Sequence, residues 1–206
     1  FREALKLLAD RAGIEMRAGN GQQRDITAEG KQAMFAALQW AADLYHRCLL
    51  EEEEAAPARQ YLSGRGINEE SIAQFRIGFA PNGYEWLLGR GKQAGHSPEL
   101  LEAVGMSGRG ERGYYDRFRG RGLFPLQHPA ARPIALGGRI MPHLANEAEA
   151  AGRHAAKYIN SPETPLYHKS KELYALHASK NAMQQSKQAL VMEGYTDVVV
   201  ANQFGV

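Results

Sequence analysis

The first third of the chain carries its apolar residues at helical spacing. Met34, Leu38, Ala41, Tyr45 and Cys48 fall on one stripe, which predicts a long helix from Thr27 to Glu54 with Thr27 as its cap. Leu5, Leu8 and Ala9 predict a shorter amphipathic helix over residues 1–13, stopped by Gly13 and followed by a loop at 19–23. After Pro57 the elements become short. Ala58 to Ser63 reads as a helix ended by Gly64, with Arg65-Gly66 as the turn. Asn68, followed by Glu69 and Glu70, opens another helix through Phe75. Ile77 to Pro81 reads as a strand closed by its proline, and residues 86–93 and 98–104 as two more helices. No helix here presents a basic face, which excludes a helix-turn-helix reader of duplex DNA.

The pattern changes at Gly105. Six glycines between 105 and 122 punctuate short β-like runs, among them Gly122 to Leu126 and Pro133 to Leu136. A small antiparallel sheet with a hairpin is expected over 105–142. Ala145 to Ala156 reads as a surface insertion or short helix. Tyr158 to Thr164 reads as a loop, Leu173 to Met183 as a helix, Gln188 to Met192 as a strand, and Thr196 to Phe204 as a helix capped by Gly205. The fold class is therefore α/β.

With 206 residues, 44% of them hydrophobic and 23% charged, the chain has the make-up of a globular protein with a sizeable core. One cysteine, Cys48, excludes an internal disulfide framework and any multi-cysteine zinc site, and its place on the apolar stripe predicts burial. No stretch approaches the ~18 apolar residues of a membrane span, and the opening residues lack a signal-peptide core, so a cytoplasmic setting is expected. The chain lacks an initiating methionine and stops where a further strand would start, as a piece of a longer protein would. Net charge is only +2. Its distribution says more: from 109 to 139 there are seven arginines (109, 112, 117, 119, 121, 132, 139), opposed by Glu111 and Asp116 alone.

Three groups of residues offer chemistry. Glu193 closes the apolar run Ala189-Leu190-Val191-Met192, expected to be a strand buried on both faces, and Gly194 allows a sharp turn after it. A carboxylate at such a strand end can hold a divalent cation or move a proton, or simply favour a helix N-terminus. Lys157, Tyr158 and Asn160 supply a cation, a stacking face and an amide within one segment, a combination suited to single strands; the bland alternative is a solvated lysine beside an inward-packed tyrosine. Arg117, Arg119 and Arg121 alternate, so in a strand they share one face, with Lys169 and Lys171 extending the charge. Arg139 follows Gly137-Gly138, where missing side chains would let a ligand reach the backbone. The seven histidines have no metal-ligand spacing, and no phosphate-binding glycine loop or nucleophilic serine elbow is present.

Taken in order, these segments resemble the catalytic core of bacterial DNA primase. The resemblance is carried by Tyr61-Leu62 with Arg65-Gly66-Ile67, by Phe75 to Pro81, and by Asp116-Arg117-Phe118-Arg119 with Leu123-Phe124-Pro125. Gly137-Gly138-Arg139, Lys157 to Thr164, Lys169, Leu173-Tyr174 and Glu193 to Val198 complete it. It implies a helical segment (1–56), a basic α+β subdomain of helices and a small antiparallel sheet (57–187), and residues 188–206 as the start of a truncated, Rossmann-like Toprim fold. It also implies an RNA polymerase of the primosome that makes primers from ribonucleoside triphosphates on single-stranded DNA. Glu193 would be the catalytic acid and a candidate metal ligand. Arg139, Lys157, Tyr158, Asn160 and Lys169 would line the groove for template and nucleotides, with Arg65, Arg117, Arg119 and Arg121 as further DNA or phosphate contacts. Magnesium or manganese would be the cofactor, with zinc confined to a domain before Phe1, further metal-binding aspartates after Val206, and a replicative helicase engaged through a C-terminal domain. A piece lacking those parts would bind weakly and catalyse nothing. Two other readings stand beside it: another Toprim enzyme, a topoisomerase or nuclease, and a non-catalytic single-strand-binding module.

Overall fold

The computed structural model describes residues 27–206; the helix expected over 1–13 and the loop at 19–23 lie outside the described residues. Helix α1 (Ala28–Glu51) follows Thr27, whose hydroxyl accepts from Gly30 N at 3.1 Å. Its buried stripe includes the five expected residues, Met34, Leu38, Ala41, Tyr45 and Cys48. The helix ends three residues before Glu54 and gives way to a 3₁₀ turn, Glu53–Ala55. Burial pushes the Cys48 thiol up to about 12, with Glu52 and Glu54 adding to the shift.

Helices α2 (Ala56–Gly64) and α3 (Glu69–Gln74) form as the caps predict, Asn68 accepting from Ser71 N at 2.8 Å. Strand β1 (Gly78–Ala80) lies on one edge of the main sheet, and helices α4 (Trp86–Gln93) and α5 (Pro98–Ala103) follow. Strands β2 (Ser107–Gly110) and β3 (Gly113–Asp116) make a separate hairpin. Strands β4 (Arg121–Gln127) and β5 (Pro133–Ile140) form the centre of the four-stranded antiparallel sheet. Helix α6 (Pro142–Ala150) leads to β6 (Tyr158–Asn160), and the sheet order is β1-β4-β5-β6. Helices α7 (Leu176–Ser186) and α8 (Tyr195–Gln203) close the chain.

Helix α1 crosses the sheet closely because β1 begins with glycine: a Cβ on Gly78 would lie 2.9 Å from the Tyr45 backbone carbon. Around this contact Tyr45, Leu38, Leu87, Leu101, Met106, Phe118 and Leu123 form one core. A second core joins α2 and α3 to Phe124, Met141 and Val199 of α8. Helix α8 is also pinned by polar contacts, since Gln203 donates to Gly66 O and accepts from Asn68 N, each at 3.0 Å.

Several expectations are corrected. Residues 188–192 form no strand, and Leu190 and Val191 are 70% and 83% exposed. A strand is held by ladder bonds to a neighbour, and among the described residues none pairs with this run. Residues 158–160, read as loop, are an edge strand paired with Gly137 to Arg139. The helix expected from Leu173 starts at Leu176, after Ala175 in the left-handed conformation, and the helix expected within 145–156 is Pro142–Ala150.

Asp116 shows how the hairpin and α4 are joined. Its buried carboxylate accepts from Leu87 N at 2.6 Å and Leu88 N at 3.1 Å, capping the helix from a distant strand. Burial outweighs those bonds and raises its pKa to about 6, with Glu85 nearby pushing the same way. The folded state thus binds this proton more tightly than the unfolded state, and the associated stability is lost as pH rises from about 4 through 6. Asp116→Asn removes that dependence. The stability of wild type relative to the variant is expected to fall by up to about 3 kcal/mol over this window in urea titrations. Parallel curves would refute it.

Candidate nucleic-acid interface

Strand β6 brings the second group of candidates to an open sheet edge. Ile140 N donates to Lys157 O at 3.1 Å and Tyr158 pairs with Arg139, so the backbone is fixed while the Lys157 side chain stays exposed. Alternation along the strand puts Tyr158 and Asn160 on one face. Asn160 Oδ1 accepts from the Tyr195 hydroxyl at 2.8 Å, which leaves its amide hydrogens for a ligand. Burial of Tyr195 pushes its hydroxyl pKa up to about 12, so it remains a proton donor at neutral pH.

The expected role of the double glycine is corrected. Space at Gly137 is filled by the ring of Tyr195, whose Cε2 would lie 2.4 Å from an added Cβ; space at Gly138 is filled by Phe118, at 2.7 Å. These glycines admit the protein's own rings rather than a ligand. The Tyr195 ring stacks on Phe124 at 5.4 Å between centroids, meets Tyr174 edge-on at 4.8 Å and leans towards Tyr158 at 6.1 Å. The Arg139 guanidinium lies 5.9 Å from the Tyr158 ring centre and 4.3 Å from that of Tyr61. Arg65 Nε donates to the Tyr61 hydroxyl at 3.1 Å. Arg65, Tyr61, Arg139, Tyr158, Tyr195 and Asn160 therefore form one continuous column across α2, β5, β6 and α8.

Lys169 is placed by a different device. Glu163 accepts from Lys169 N at 2.9 Å and lies 3.1 Å from His168 Nδ1, while Thr164 and Tyr167 exchange two backbone bonds. The Lys169 bond holds the Glu163 carboxyl below its usual pKa, and the loop keeps the lysine exposed.

The arginine alternation does not survive as a strand face. Strand β3 ends at Asp116, β4 begins at Arg121, and Gly120 between them takes φ +60°, which breaks the extended run. Arg121 is buried, donating to the carbonyls of Gly138 at 3.1 Å, Ala156 at 2.9 Å and Lys157 at 3.4 Å. Burial lowers its pKa to about 10, helped by Arg119, and it stays charged at neutral pH. All three arginines nonetheless border one cavity of about 520 Å³, together with Tyr84, Arg153 and His154. Arg119 lies 3.8 Å over the ring of Tyr84, an exposed stacking face. Composition and spacing did not single out Tyr84 or Tyr195. Tyr61 stands four residues before Arg65 on a helix, a spacing that does bring side chains together.

Glu193 lies in the exposed segment just before α8, two residues from Tyr195. Gly194 has φ −106° and ψ 142°, an ordinary extended conformation, so no sharp turn requires it; its missing side chain makes room for Asp197, whose Oδ2 would meet a Cβ at 2.5 Å. An exposed carboxylate suits a hard cation, but such ions take several oxygen ligands, and no cluster of three ligating side chains occurs among the described residues. Glu193 can supply one ligand of such a site. No described helix is long and apolar enough to cross a membrane.

Comparison with known proteins gives this arrangement a context. Residues 45–180 match the family model of the DNA primase catalytic core, N-terminal domain. The chain belongs to that family. Over its whole length it is 37% identical to the DNA primase of Pasteurella multocida, of which it covers 34%. Among solved structures, the RNA polymerase domain of Mycobacterium tuberculosis primase superposes with a TM-score of 0.76 at 37% identity, over 84% of this chain and 52% of that one; it was solved with a double-stranded DNA oligomer bearing a 6-nucleotide overhang. A DnaG primase catalytic domain bound to single-stranded DNA superposes with a TM-score of 0.72 at 36% identity, over 87% and 55% of the two chains. The primase core family thus accounts for the mixed helix and sheet fold, and the chain spans about a third of the curated relatives it matches.

Proposed function

We propose that this chain is the template- and nucleotide-holding part of a DNA primase, which joins ribonucleotides on a single-stranded DNA template. The observation that carries the reading is the aromatic and cationic column from Arg65 through Arg139 and Tyr158 to Asn160, beside the exposed Lys157. Stacking faces interleaved with cations bind single strands without regard to sequence. The arginine-lined cavity at Arg117, Arg119 and Tyr84 extends the same chemistry and would take template phosphates, with Arg121 holding the sheet beneath them. Lys169 supplies further positive charge. On this reading residues 57–187 are the basic subdomain, residues 1–56 its helical lead-in, and 188–206 the start of a Toprim unit. Zinc and the helicase contact would belong to other domains of the longer protein, and its setting would be the cytoplasmic replication fork.

In the joining step a primer 3′-hydroxyl bonds to the α-phosphorus of a ribonucleoside triphosphate, the bond to pyrophosphate breaks, and the hydroxyl proton is lost. Arg139, Lys157 and Asn160 would hold phosphate and base by contacts made alike in ground and transition state, so their loss would be read mainly in KM. Glu193 would accept the proton or offer a metal ligand. A divalent ion such as magnesium or manganese, when bound, stabilises the charge developing on the phosphate.

The test is synthesis of short RNA by the full-length protein from labelled ribonucleotides on single-stranded DNA. Absence of RNA with binding retained would favour the plain binding module. Lys157→Ala is expected to weaken single-strand binding and to reduce the slope of log K against log salt by about 0.7, the share of one phosphate contact. An unchanged slope removes Lys157 from the groove.

A further inference from the structure

Arg139 is a charge in an unusual place. It is only 8% exposed, its Nη1 donates to Ile140 O at 3.1 Å, and its Nε has no hydrogen-bond partner. Among the described residues no carboxylate lies within ion-pair reach of it. Burying a cation without a counter-ion is costly, and here the compensation comes from two ring faces, Tyr61 being the nearer. The same ring serves a second cation. Arg65 Cζ is 5.6 Å from the Tyr61 centroid, and its Nε bonds the hydroxyl. That hydroxyl accepts from Arg65, so its own hydrogen can still reach an anion. One tyrosine on α2 thus holds two guanidiniums from different parts of the fold, the C-cap of its own helix and the end of a central strand.

We infer that Tyr61 is a positioning residue, which presents Arg139 and Arg65 together to phosphate oxygens. The inference rests on the phosphate-binding reading above and adds to it the element that aligns the two cations. The ring face and the hydroxyl do separate work and can be removed separately. Tyr61→Phe keeps the face under Arg139 and removes the acceptor for Arg65; Tyr61→Leu removes both. The phosphate can come from the template backbone or from an incoming triphosphate, and varying each at saturation of the other tells them apart.

In primer synthesis by the full-length protein, Tyr61→Leu is expected to raise one KM by about 5–30-fold with kcat within about 2-fold of wild type. A rise in the nucleotide KM assigns the triphosphate, and a rise in the template KM assigns the DNA backbone. Tyr61→Phe is expected to recover most of that loss, leaving about a 3-fold rise. Unchanged KM values in Tyr61→Leu, a fall in kcat alone, or a phenylalanine variant as impaired as the leucine one would overturn the inference. Thermal melts accompany each variant. If Tyr61→Leu does not fold, Tyr61→Phe carries the test, and wild-type KM values in it overturn the role of the hydroxyl. If wild type makes no primers, the functional reading fails. Tyr61 is then judged by equilibrium binding of labelled ribonucleoside triphosphate and of single-stranded DNA, where less than about a 5-fold loss in Tyr61→Leu refutes it.

Discussion

Glu193→Gln in the full-length protein is expected to lower primer synthesis by about 10²–10⁴-fold while leaving single-stranded DNA binding intact. The substitution keeps the shape of the side chain and removes its charge, so an acid that moves a proton or ligates a cation loses both abilities. Glu193 is exposed and stands outside the core, which makes a folding defect an unsuitable explanation for a loss. Removing a negative charge does not weaken binding of a polyanion. The measurement pairs labelled-ribonucleotide incorporation with fluorescence anisotropy of a single-stranded oligonucleotide. Equal primer yields from the two proteins would make Glu193 a helix N-terminal acid and nothing more.

Gly137→Ala is expected to destabilise the sheet strongly. Its methyl group would sit 2.4 Å from the Tyr195 ring, far inside contact distance. The ring has no easy retreat, with Phe124 stacked against it and Tyr174 at its edge. Overpacking of this kind, with loss of the bond to Asn160, costs about 2–4 kcal/mol. A melting temperature lower by about 5–15 °C follows for a chain of this size. Tyr195→Leu in the same background should recover part of the loss, because the smaller side chain vacates the clash. If the double variant loses as much stability as Gly137→Ala and Tyr195→Leu lose separately and added together, the two positions are not coupled as the geometry requires.

Helix α1 was legible because its buried stripe runs from Met34 to Leu49, long enough for a 3.6-residue period to stand clear of chance. The caps at Asn68 and Thr27 were legible because each acts on a residue only three positions away. The strand expected at 188–192 misled because an apolar run reports a wish for burial and says nothing of a partner to pair with. Alternation of Arg117, Arg119 and Arg121 misled because one left-handed glycine between the last two resets the direction of every side chain. At Gly137-Gly138 the need for space was readable, but its occupant was not: Tyr195 comes from more than fifty residues away. Apart from the local Tyr61–Arg65 pair, the column that gathers Arg65, Arg139, Tyr158 and Asn160 is likewise built from long-range contacts, which local spacing cannot encode. Family resemblance supplied those residues as a set; the structure supplied the tyrosines that join them.

The burial of Cys48 has a practical corollary for spectroscopy. The sole thiol of the chain sits in the core with its acidity suppressed, so maleimide reagents should find nothing to attack in the native fold. A cysteine introduced at exposed Asn146 on α6 would then take a dye at a single address, on the helix that borders the arginine-lined cavity through Glu147 and Ala148. Were the template to occupy that cavity as proposed, its arrival would be read in real time by energy transfer to a labelled oligonucleotide, with every native side chain of the groove still in place.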